Sequence, residues 1–117
     1  GCNVLGRGAD EVEDGALDRE PGREPELAPG PLAVGHATPR DVAEVLDLLW
    51  GGPETLIVIS SDLSHFLPYA AANQVDRDTC QHILQLDTDI RPEQACGAYP
   101  INGLLLAARR RGLAPQL

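Results

Sequence analysis

The stretch Thr55-Leu56-Ile57-Val58-Ile59-Ser60-Ser61-Asp62-Leu63-Ser64-His65 runs an apolar segment straight into polar, ionisable residues. Residues 55 to 59 are short, rich in β-branched side chains and without alternation, the pattern of a strand buried on both faces of a sheet. The polar residues then emerge at its carboxyl end, where α/β proteins place their chemistry.

Upstream, Pro31-Leu32-Ala33-Val34-Gly35 reads as a short strand. Thr38-Pro39-Arg40-Asp41 supplies a helix start, with a Thr cap, Pro at the first helical position and an acidic residue three places after the cap. Val42, Val45, Leu46 and Leu49 follow at the spacing of one buried helical face. Gly51-Gly52-Pro53 should stop this helix, the glycines by left-handed backbone and the proline by forbidding continuation. A strand, helix, strand order favours a right-handed crossover and a parallel pair.

Downstream, the chain turns at Pro68 into a second helix, most regular from Val75 to Leu86. There Val75, Thr79, Ile83 and Leu86 share a face, with Cys80 and Leu84 beside them. Asp76 and Asp78 belong near its start on dipole grounds. After a break over residues 87 to 92, a third helix starts near Pro100, with Ile101, Leu104, Leu105 and Ala108 on one face. Arg109 to Arg111 lie in its last turn and Gly112 ends it. The expected fold class is α/β, a mostly parallel sheet flanked by helices.

With 117 residues, 43% hydrophobic and 23% charged, the chain suits one small domain. Residues 1 to 31 differ from the rest: between Gly6 and Pro31 they are mostly Gly, Pro, Ala, Asp, Glu and Arg. They are expected to be a disordered acidic segment preceding an α/β domain over 32 to 117. The formal net charge of −9 argues against a nucleic-acid partner, because no basic stripe exists to neutralise phosphates. No apolar run reaches membrane-spanning length and no signal segment opens the chain, so a soluble, cytoplasmic protein is expected. Cys2, Cys80 and Cys96 are odd in number and lack Cys-x-x-Cys spacing, which supports neither a disulfide framework nor a zinc ribbon. The chain has no methionine and opens on Gly, as a processed chain or a piece of a longer one would.

Asp62 and His65 form an Asp-x-x-His pair at a strand end. Carboxylate and imidazole together suit a general acid/base or a metal site, although Ser60, Ser61 and Asp62 equally suit the capping of a turn, with His65 an ordinary polar loop residue. Cys96 precedes Gly97 just before a helix, where the dipole favours a thiolate, or where a small buried hydrophobe would serve as well. Cys2 and Cys80 read as inert, and His36 and His82 as structural or surface residues. No Gly-rich phosphate loop, Gly-x-Ser-x-Gly elbow or His-Glu-x-x-His is present.

In the order Ser60-Ser61-Asp62-Leu63-Ser64-His65, Leu86-Asp87, Ala95-Cys96-Gly97 and Pro100-Ile101 followed by Leu104-Leu105, the chain resembles the Memo family. In bacteria and archaea this family is called AmmeMemoRadiSam system protein B, and the resemblance runs from about Leu32 to about Leu113. It implies a LigB-like three-layer fold similar to class III extradiol dioxygenases, with a site holding iron or copper. By the same resemblance Cys96 is a metal ligand, Asp62 and His65 line the pocket, and His65 works as an acid/base. Partners would be other AmmeMemoRadiSam system proteins.

The family's His-Ala-Gly and Gly-Pro-x-His blocks, which supply two imidazole ligands, do not occur here. The expectation is therefore a carboxyl-terminal half, truncated at both ends, that does not retain the ion and is inactive as given. A non-catalytic protein- or peptide-binding module of the same fold, a remnant without activity, and a Cys/His nucleophilic enzyme using Cys96 and His65 are the competing readings. Asp62, His65 and Cys96 are expected to converge on one pocket wall.

Overall fold

Local signals place the helices. The computed structural model describes residues 30 to 116 in full and residues 2 to 7 as backbone. Its elements run β1 (Cys2–Arg7), α1 (Pro39–Leu49), β2 (Leu56–Ser61), α2 (Tyr69–Leu84) and α3 (Ala98–Arg110), a mixed helix and strand architecture. At the start of α1, Thr38 Oγ1 accepts the Asp41 N–H at 3.1 Å and Pro39 opens the helix. The threonine satisfies a first-turn donor that has no intrahelical partner, and the proline has no donor to leave unpaired. At the end of α3, Gly112 takes φ +67°, as expected of a glycine that closes a helix. None of the described helices is long and apolar enough to cross a membrane.

The sheet departs from expectation. Its two strands are antiparallel, with Cys2 opposite Ser61 and Arg7 opposite Leu56. Residues 31 to 35, read as a strand, are instead irregular and exposed. Pro31 cannot donate to a ladder, and the segment holds a single β-branched residue. Cys2–Arg7, counted with the disordered segment, pairs instead with β2: composition averaged over 31 residues hid the short run Asn3-Val4-Leu5, and a strand edge gains by pairing its backbone groups. Residues 8 to 29 of that segment lie outside the described residues. Strand β2 alternates: Ile59 and Ser61 are buried and Ile57 partly so, while Leu56 and Val58 are exposed. Burial on both faces is therefore corrected to burial on one.

Helices α1 and α3 pack closely because small residues line the contact. Ala43 and Ala107 are fully buried, and a Cβ added at Gly103 would collide with Val42 Cγ1 and Cβ. The buried side of α1 is Val42 and Ala43, with Leu46 packed against the core, whereas Val45 and Leu49 are exposed. The expected face is thus turned toward the narrow α3 contact. Trp50, in extended backbone, ends α1, and neither Gly51 nor Gly52 takes positive φ. Its ring is buried beneath the Arg111 guanidinium, 4.2 Å from the ring centroid, and Arg111 Nη2 meets Asp47 Oδ1 at 3.2 Å. Ile59 and Ile83 join Ile101, Leu104 and Leu105 in the core, so the predicted inner faces of α2 and α3 do pack inward. Buried Asn102 accepts the Ile90 N–H at 2.9 Å and donates to Ile90 O at 2.8 Å, which satisfies the backbone of the segment between α2 and α3.

Gly103→Ala is expected to destabilise the fold by about 1–3 kcal/mol, the usual cost of forcing volume into a packed contact, read as a lower urea midpoint. A second expectation concerns the turn after α1. The backbone N–H groups of Glu54 and Gly52, the latter at 2.9 Å, hold the Glu54 carboxyl below its ordinary value. A lowered folded pKa means that this contact is complete above the ordinary glutamate value and is lost as pH falls through the lowered one. The Gly52 amide resonance should therefore titrate with a midpoint below that of an unstructured glutamate.

Candidate metal site

Strand β2 delivers the polar block where sequence periodicity places it. Ser61 is the last strand residue, and Asp62 to His65 form the loop beyond it. Two contacts anchor this loop. Asp62 O accepts the Cys96 N–H at 3.2 Å, and Asp76 Oδ1 accepts the Ser64 N–H at 2.9 Å. Asp76 was expected near a helix start, but α2 begins at Tyr69 and has no acidic residue in its first turn. Its carboxylate ties the loop to the helix instead. Phe66, at φ +58°, then turns the chain through left-handed backbone, a conformation costly for a bulky side chain.

Cys96 arrives from the other direction, in the turn that leads into α3. Its Sγ accepts the Asp62 N–H at 3.2 Å and lies 3.7 Å from Ser61 Oγ. The ligand atoms of Asp62, His65 and Cys96 all fall within 4.8 Å of one another. His65 Nε2 stands 3.8 Å from Asp62 Oδ2, within ion-pair reach but too far for a hydrogen bond. The three expected residues do come together. They do so at an exposed surface, with side-chain exposures of 73% for Asp62 and 48% for His65. A cavity of about 580 Å³ lies elsewhere, bounded by α2 and the segment after it, with Asp78, His82, Asp89 and Arg91 among its lining residues.

The donors suit a metal ion in kind. Thiolate, imidazole and carboxylate together match a borderline divalent transition ion, and bonds of ~2.0–2.3 Å at tetrahedral angles separate ligand atoms by roughly 3.5 Å. Asp62 and His65 are exposed, so the gap between 4.8 Å and that spacing is one their side chains would have to close. Three exposed donors leave the rest of the coordination sphere to water or substrate.

The other expected bystanders acquire neighbours that no local motif announces. His82 Nδ1 lies 3.0 Å from Asp87 Oδ2, and the His36 ring packs 4.8 Å from that of Tyr99. Cys80 is partly buried on α2. Asp76, read as a helix-dipole residue, and Ser61, read within the polar block as a turn cap, serve instead to bond backbone distant in sequence, a role nothing local distinguishes. No family model matches the chain, and neither a curated protein nor a solved structure matches it.

Asp76→Ala removes the acceptor for the Ser64 N–H. The expected outcome is faster hydrogen exchange at the Ser64 amide and a loss of about 1.5–3 kcal/mol of stability, the usual scale for a bond to a charged group.

Proposed function

We propose that the chain is a Memo-type, metal-binding, dioxygenase-like protein in which Cys96 is a metal ligand and Asp62 and His65 stand beside the ion as donors or proton carriers. One observation carries this reading: the residues singled out by the Ser-Ser-Asp-x-x-His and Cys-Gly blocks, 34 positions apart for Asp62 and Cys96, are the ones whose ligand atoms gather within 4.8 Å. Iron or copper, when bound, supplies Lewis acidity and electron transfer. His65, half exposed, can exchange protons with solvent at Nε2, and the Asp62 carboxylate 3.8 Å away places a negative charge beside that nitrogen. A LigB-like three-layer arrangement is part of the same proposal. The apolar, exposed Leu56 and Val58 support it, since they present a sheet face suited to a further layer.

Three exposed donors hold an ion weakly, whereas ring cleavage requires one held firmly enough to bind substrate and oxygen together. The proposal is therefore metal binding without catechol-type ring cleavage by this donor set alone. A second reading, a non-catalytic protein- or peptide-binding module of the same fold, draws on the exposed Phe66, Leu67 and Tyr69 that follow the site.

Anaerobic titration of the reduced chain with Co(II) separates the two. The metal reading expects a sulfur-to-cobalt charge-transfer band that disappears in Cys96→Ser. It also expects binding about tenfold weaker in His65→Ala and in Asp62→Ala, the scale of one lost ligand interaction. A chain with no Cys96-dependent band leaves the binding-module reading in its place.

A further inference from the structure

We propose that Ser61 is the positioning residue of this site: its hydroxyl sets where the Cys96 sulfur stands relative to Asp62 and His65. The proposal rests on the metal-site reading of those three residues, but the geometry that motivates it does not. Ser61 is 6% exposed, and its Oγ accepts the Gly97 N–H at 2.8 Å. The same oxygen lies 2.7 Å from Asp62 O, to which its O–H can donate, and 3.7 Å from Cys96 Sγ.

Around it, the Asp62 N–H donates to Cys96 Sγ and the Cys96 N–H donates to Asp62 O, both at 3.2 Å. The two segments that carry the donors are thus stitched residue to residue, with one buried side chain, Ser61, in the seam. Gly97 permits the approach. A Cβ there would stand 2.7 Å from Ser61 Cβ, 2.9 Å from its Oγ and 3.2 Å from Ser60 O. Removing the hydroxyl leaves the buried Gly97 N–H without its acceptor, and such a group is costly enough to move the turn until it finds another. Because Cys96 is the adjacent residue, that movement strains its sulfur's place beside Asp62 and His65, whose loop has a second anchor in Asp76 and so does not simply follow.

The test has arms with and without metal. In the metal-free arm, the reduced chain is alkylated with iodoacetamide and each cysteine is followed by peptide mapping. Ser61→Ala is expected to change the Cys96 rate about threefold or more, the effect of altering the hydrogen bonds and exposure around one sulfur, with the Cys80 rate unchanged. Ser61→Thr, which keeps the acceptor oxygen, is expected to restore the wild-type rate. Equal Cys96 rates in wild type and Ser61→Ala would overturn the proposal, as would a Thr variant that behaves like Ala.

If Ser61→Ala does not fold, hydrogen exchange on the wild-type chain decides. The Gly97 amide must be protected, and exchange at the rate of an open amide sinks the assignment. In the metal arm, Ser61→Ala is expected to weaken Co(II) binding about tenfold and to diminish the charge-transfer band while leaving the helical signal intact. Absence of that band in the wild type would remove the metal reading without touching the alkylation and exchange results, so the two failures are distinct.

Discussion

The close approach of the end of β2 to the Cys96-Gly97 turn is the constraint on which the site depends. Two segments of chain, distant in sequence, meet at a place where one of them has no side chain. The Gly97 backbone sits against Ser61 in space that any Cβ would contest. Joining segments so far apart has a loop-closure cost that the hydrogen bonds of the seam do not offset alone. The apolar contacts behind it supply the rest, since Ile59 on the strand and Ala95, Ala98 and Ile101 on either side of the turn all belong to the buried core.

The core in turn depends on how α3 is held. Its middle presses on α1 through Gly103, Ala107 and Ala43, where the absence of bulk lets the two backbones come together. Asn102, the residue before Gly103, uses both ends of its amide to close the Ile90 backbone, so the segment leading to Cys96 has a fixed origin. At the far end, Arg111 lies over Trp50 and reaches Asp47, covering the last buried ring of the contact. Each device fixes backbone. The side chains of Asp62 and His65 stay at the surface, carried on backbone that the seam holds in register, while the Cys96 sulfur takes the Asp62 N–H.

Sequence reading succeeded wherever the controlling physics is local. The Thr38 cap, Pro39 at the first helical position, the Gly112 stop and the apolar spacing of Ile101, Leu104 and Leu105 are contained within a turn or two of chain, and the structure has them where the pattern puts them. The polar block also falls at the end of a strand as read. Convergence of Asp62, His65 and Cys96 was anticipated from strand-end and helix-start placement joined to a family resemblance, and it appears in the geometry. What failed were inferences about neighbours. Apolar residues at every position from Leu56 to Ile59 do not say which face is covered, and Leu56 and Val58 are the uncovered ones.

The sequence by itself determined the helices, the strand that precedes the polar block and the residue types available for chemistry, because backbone preference and side-chain periodicity act over a few residues. Only the tertiary structure decided that Cys2–Arg7 runs antiparallel beside β2, and that Asp76 serves a loop rather than a helix dipole. It also decided that a serine hydroxyl bonds the Gly97 amide and that the three candidate donors face solvent. These are outcomes of which surfaces meet. The same hydroxyl, carboxylate or strand edge has many possible partners in an extended chain, and the packing of the whole core selects one.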